Sequence, residues 1–87
     1  MRALSTIASE ISENWPRPYF GAVPYLQAMM GLDKVSDKYG YDDGRSIVLY
    51  FLANATSWRG EVARRVKAEL KGMLASESAT KRLRAAR

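Results

Sequence analysis

Arg64, Lys67 and Lys71 recur at spacings of three and four residues, the interval that aligns side chains along one face of an α-helix. A cationic stripe about two turns long does electrostatic work, holding phosphates or an acidic surface. Arg59 lies just upstream, and Lys81, Arg82, Arg84 and Arg87 follow downstream. These eight residues form the candidate nucleic-acid-binding set. The competing reading is a solvated face that keeps the protein soluble, and it is preferred because no aromatic or base-reading side chain accompanies the stripe. Arg59 is placed in the first turn of the helix, where a cation opposes the positive end of the macrodipole. Either an anionic partner or stacking of its stem on Trp58 offsets that cost. Arg65 has a simpler assignment, an i,i+4 pair with Glu61, and stays outside the set.

A second group is aromatic. Tyr19, Phe20, Tyr39 and Tyr41 fall in or beside segments too irregular to bury them all, and aromatic side chains are favoured anchors at protein interfaces. They are the candidate protein-interface residues, for a host protein or for a second copy of the chain. Trp15, Phe51 and Trp58 read as core anchors instead.

Enzymatic chemistry has little to work with. The 87 residues contain no histidine and no cysteine, which removes imidazole acid/base catalysis, thiol nucleophiles, disulfides and the usual zinc ligands. No close pair of carboxylates sits on an apolar face, and serine activated by lysine is the single nucleophile pairing left open. The stretch 40–46, GYDDGRS, departs from a phosphate-binding loop: its spacing is one residue short, arginine replaces lysine, and two aspartates would repel phosphate. Asp33, Asp37, Asp42 and Asp43 miss the calcium-loop pattern and read as solvated loop acids. The expectation is a non-enzyme with no cofactor, no metal and no small-molecule substrate. Asn54-Ala55-Thr56 matches a glycosylation signal by chance, since Glu10 and Glu13 interrupt any export signal at the N-terminus. The longest apolar run, 47–53, is far short of the ~20 residues that cross a bilayer, so the chain reads as cytoplasmic with no membrane partner.

Helices must position these groups. Leu4, Ile7, Ile11 and Trp15 give an amphipathic helix over 2–14, ended by Pro16 and Pro18. A second helix spans 22–31, with Pro24 in its first turn and Gly31 as its stop. Residues 32–44 form the principal loop, and Asp42 or Asp43 caps a third helix over 45–55. That helix is apolar on every side and belongs at the centre of a bundle. The fourth helix, 57–74 with Thr56 or Ser57 as its cap, buries Val62, Val66, Leu70, Met73 and Leu74. The whole is an all-α, four-helix domain over 1–75 without a sheet, followed by a basic frayed or disordered tail over 76–87.

Charge divides along the same line. Residues 1–44 carry four Lys/Arg against six Asp/Glu, and residues 45–87 carry ten against three. The C-terminal half is therefore the one that attracts polyanions. Two helices around the 54–57 turn invite a helix-turn-helix reading, but the start of the second offers Trp58, Arg59 and Gly60, and the stripe beyond them suits phosphates rather than bases.

The stretches YFGAVPYLQAM, YGYDDG and VLYFLANATSWRGEVARRVKAEL, within residues 15–74, resemble small proteins of actinobacterial phages and their hosts. The resemblance brings no activity with it. It implies an accessory protein acting inside a bacterial cell on a host macromolecule.

Overall fold

A computed structural model describes residues 2–85, with side chains described through Ser76. Four α-helices dominate it: α1 (Leu4–Asn14), α2 (Val23–Met29), α3 (Gly44–Ala53) and α4 (Glu61–Ala85). A 3-10 turn, Phe20–Ala22, leads into α2. Between α2 and α3 lies an antiparallel ladder of β1 (Lys38–Tyr39) and β2 (Asp42–Asp43), pairing Lys38 with Asp43 and Tyr39 with Asp42. The mainly helical fold matches the sequence pattern, and the hairpin corrects the expectation of no sheet. Its two-residue loop is Gly40-Tyr41, with Gly40 at φ +64° and Tyr41 at negative φ. This is the sign pattern of a type II′ turn, whose twist suits adjacent antiparallel strands.

Tertiary contacts settle where the helices begin. Ala3 provides no side-chain cap for α1. Instead the N–H groups of Leu4 and Ser5 donate to the carbonyls of Asp33 (2.9 Å) and Leu32 (2.8 Å), so the principal loop caps the helix from a distance. Asp43 caps α3 as expected, its carboxylate accepting from the Ser46 N–H at 2.8 Å. Asp37 works the same way on the loop, accepting from the N–H groups of Asp33 and Lys34, which hold its carboxyl below the usual range, Lys34's being the larger influence. These aspartates are structural rather than merely solvated.

The core joins α1, α2 and α3 to the inner face of α4. Leu4, Ile7, Val48, Phe51, Val66 and Leu70 are fully buried, and no polar or charged side chain is buried among the described residues. The rings of Trp15 and Trp58 stack with centroids 5.7 Å apart, and Phe51 meets Trp15 edge-on at 6.3 Å. Trp58 Nε1 donates to the Asn14 carbonyl at 3.3 Å, satisfying an acceptor at the end of α1. All three aromatic anchors are where the sequence placed them.

Three boundaries differ. The second helix is shorter than 22–31, ending at Met29 before Gly31 is reached. The fourth begins at Glu61 rather than 57, because Trp58 closes a turn on the Ala55 carbonyl and Gly60 takes φ +115°, a value that breaks a helix and that L residues rarely adopt. It then continues to Ala85, well past 74. The third helix is not enclosed: Ile47, Val48 and Phe51 face the core, while Leu49 and Tyr50 face solvent. Among the described residues three other α-helices surround it, and none of them covers Leu49 or Tyr50.

Arg65 pairs not with Glu61 but with Glu10, its Nη2 donating to Oε2 at 2.5 Å. Arg2 bridges Glu69 with both arms of its guanidinium (2.6 and 3.1 Å) and approaches Glu10 at 2.8 Å. This network ties the start of the chain and α1 to α4. It depresses both carboxyls, Glu10 chiefly through Arg65 and Glu69 chiefly through Arg2. A depressed folded-state pKa contributes stability that is present above the ordinary value of 4.5 and is lost as pH falls through the folded value. Thermal melts between pH 6 and 3 will therefore show Tm falling below about pH 4.5, by a few degrees since solvent still reaches these half-buried pairs. Glu10→Gln/Glu69→Gln will flatten that dependence; an unchanged profile would contradict the assignment.

Candidate functional site

The cationic set lies where the 58–60 turn meets α4. Arg59 stands in the turn, two residues before the helix, rather than in its first turn; Arg64 and Lys71 are exposed on the helix itself. The side chains of Arg59, Arg64 and Lys71 make no ion pair or hydrogen bond to the described residues. Lys67 behaves differently. It folds back so that Nζ donates to the Trp58 carbonyl at 2.6 Å and lies 5.9 Å from the centre of the Trp58 ring. The stripe expected from spacing is thus bent into a cluster with a half-buried lysine at its base. Desolvation lowers the pKa of Lys67, and the like charges of Lys71 and Arg59 lower it further. Trp58, Arg59, Gly60, Ala63, Arg64 and Lys67 line a shallow open groove of about 310 Å³. The side chains of Lys81, Arg82, Arg84 and Arg87 lie outside the described residues, though the helical backbone continues to Ala85.

The aromatic set divides in two. Tyr19 and Phe20 touch each other, ring centres 4.8 Å apart, and both are exposed, Phe20 at 78%. Tyr39 and Tyr41 lie on the β-hairpin at the other end of α3, Tyr41 fully exposed at the turn. The structure does not bring the two pairs together, since ten residues of α3 separate their attachment points by ~15 Å.

Tyr19 and Phe20 have neighbours that sequence reasoning missed. Tyr50 on α3 meets Tyr25 on α2 with ring centres 5.4 Å apart, and Leu49 is exposed beside it. Asn54 links the pairs: its Nδ2 donates to the Tyr50 carbonyl at 2.8 Å, and its Oδ1 lies 2.7 Å from where a Cβ on Gly21 would stand, with the Tyr19 ring 2.6 Å from the same point. Gly21 is therefore the hollow into which Tyr19 and Asn54 converge. The Tyr19–Phe20 and Tyr25–Tyr50 pairs thus flank Asn54 and Gly21 near the C-terminal end of α3, with Leu49 exposed on the same helix, and none of these five apolar side chains is charged.

Among the described residues no group of three or more His, Cys, Asp or Glu is placed to hold a metal ion. No helix among them is long and apolar enough to cross a membrane. No protein-family model matches the chain, and no curated protein and no solved structure matches it. The two surfaces themselves must carry any functional reading.

Proposed function

We propose that this chain is a non-enzymatic accessory protein that works by binding protein through the face formed by Tyr19, Phe20, Tyr25, Leu49 and Tyr50, and that the occupant of this face is a second copy of the chain. The observation that carries the proposal is the presence of exposed Tyr19, Phe20, Leu49 and Tyr50 around half-buried Tyr25, in two ring pairs on either side of Asn54 and Gly21. Large exposed apolar side chains gathered in a patch mark interaction sites, whereas scattered ones need no explanation. Charge favours a second copy. A two-fold contact sets a patch against itself, so a charged patch repels its mate and an uncharged one does not. The basic face of α4 is unsuited to that pairing.

Size sets the strength. Taking ~200 Å² for each large side chain and the exposures of Tyr19, Phe20, Leu49 and Tyr50, the patch offers roughly 450 Å² per copy, below the ~800 Å² of a standard stable interface. Association is therefore weak and reversible, in the micromolar range or above. The protein acts in the cytoplasm of a bacterial cell, the setting implied by its resemblance to phage and host proteins. The lack of histidine and cysteine supports the non-enzymatic reading.

Sedimentation velocity over about 10 μM to 1 mM tests this, with the concentration range set by the micromolar expectation. The wild type will shift from monomer toward dimer, and Phe20→Ala/Tyr50→Ala will remain monomeric at every concentration while keeping its helical signal. A wild type that stays monomeric throughout, or a variant that dimerises equally well, would overturn the proposal. If the face instead takes a different protein, the wild type remains monomeric here and the second-copy assignment fails.

A further inference from the structure

Arg59, Arg64 and Lys67 meet where the 58–60 turn joins α4, with Lys71 one turn beyond Lys67 on the helix, and two of the acids nearest α4 are engaged elsewhere. Glu10 and Glu69 are bound by Arg65 and Arg2. Glu61 forms no ion pair with Arg64 or Arg65 among the described residues. Arg59, Arg64 and Lys71 are left as uncompensated charge beside Lys67, whose ammonium is anchored on the Trp58 carbonyl. From this juxtaposition we propose that the groove between Arg59 and Arg64 grips the phosphate backbone of duplex nucleic acid without reading its sequence, with Lys71 extending the contact along the helix and Lys67 fixing the turn that presents Arg59.

Charge density and geometry favour this occupant. Arg64 and Lys71 are seven residues apart, ~10 Å along the helix axis, a length over which one strand of B-form DNA carries about three phosphates. Guanidinium groups bind phosphate through two parallel hydrogen bonds, which suits a pair of arginines across a groove. The groove is too open to bury a small molecule on most sides, as a ligand pocket does. A backbone passing over it needs no such enclosure.

The other polyanionic surfaces fit less well. Among the described side chains the exposed large hydrophobic residues are Tyr19, Phe20, Met30, Tyr39, Tyr41, Leu49 and Tyr50, and none of these lies on α4. An acidic protein surface would find no aromatic or aliphatic anchor here, and a membrane would find no apolar edge to insert. Only a partner recognised by charge alone matches. No Asn or Gln, the usual readers of adenine, stands among the described side chains of α4, and its arginines and lysines are assigned to phosphates. The inference is independent of the aromatic face and shares no residue with it.

Fluorescence anisotropy with a labelled 20-bp duplex of mixed sequence provides the test. At 50 mM salt the wild-type chain will bind, and its affinity will fall with salt at a log–log slope of about −2.7 or steeper, from three or more phosphate contacts. Arg59→Gln/Arg64→Gln will flatten the slope by about 1.8 and weaken binding at least ~10-fold at 50 mM. A duplex of scrambled sequence will bind equally well. Should that variant lose its helical signal, Arg64→Gln/Lys71→Gln removes two exposed charges and carries the same expectation. Failure of the wild type to bind, a folded variant with unchanged affinity and slope, a strong preference for one sequence, or binding only to vesicles of anionic phospholipid would each overturn the proposal.

Discussion

Val66→Asp will leave the chain unfolded at room temperature. Val66 is fully buried on the inner face of α4, and no polar or charged side chain is buried among the described residues, so the new carboxylate finds no partner. An unpaired buried charge costs several kcal/mol even after it neutralises by taking up a proton, comparable to the ~5 kcal/mol at the lower end of domain stabilities. A chain of 87 residues has little in reserve. Val66→Ala provides the scale: it removes two methyl groups and leaves a small cavity, for a loss of ~2 kcal/mol and a lower but still cooperative melt. Circular dichroism melts of both variants check this. A Val66→Asp chain that melts cooperatively near the parent would show that α4 buries a different face.

Gly44→Ala will lower Tm by about 8–16 °C, although alanine is the better helix former. An alanine Cβ at this position would lie 2.7 Å from the Lys34 carbonyl oxygen, 2.9 Å from Val35 Cα and 3.0 Å from the Val35 carbonyl oxygen. All three are backbone atoms and cannot swing aside. The same junction carries the hydrogen bonds from Gly44 N–H to the Asp37 carbonyl (2.7 Å) and from Arg45 N–H to the Val35 carbonyl (2.8 Å). Relieving the overlap pushes α3 off the loop that caps α1. The cost of overpacking, ~3 kcal/mol, outweighs the ~1 kcal/mol gained in propensity and leaves about 2 kcal/mol of destabilisation. Gly72→Ala in α4 makes the opposite case. Nothing lies within 4 Å of its added Cβ, so the propensity gain of about 0.5–1 kcal/mol stands alone and Tm rises. The two variants should move in opposite directions, and a common direction would contradict the close approach at Gly44.

Much of this fold is legible from the spacing of apolar residues. Leu4, Ile7, Ile11 and Trp15 marked the buried face of α1, and Val66, Leu70, Met73 and Leu74 that of α4, because a helix turning against a core must repeat every three to four residues. The Asp43 cap was visible for a similar reason: it is a local interaction between a side chain and a backbone three residues on. What the pattern does not carry is pairing between distant segments. Asp33 and Leu32 cap α1, Glu10 captures Arg65 in place of Glu61, and Lys67 turns onto Trp58. Each depends on which segments meet in space. The exposed side of α3 was hidden by composition, because Leu49 and Tyr50 are as apolar as the buried Ile47 and Phe51 and only the number of surrounding helices decides which face stays bare. Tyr19 and Phe20 were picked out from the sequence, whereas the pairing of Tyr25 with Tyr50 follows from the packing of α2 on α3.

Self-association through Tyr19, Phe20, Tyr25, Leu49 and Tyr50 can be located directly by nuclear magnetic resonance. A series of ¹H–¹⁵N correlation spectra recorded on dilution from about 1 mM to 20 μM brackets the weak affinity expected of a small patch. Concentration-dependent shifts will be confined to residues 19–27 and 46–54, with the amides of the hairpin and of α4 unmoved. Spectra that superimpose at every concentration, or shifts that centre on 38–43 or on α4, would contradict self-association through these residues.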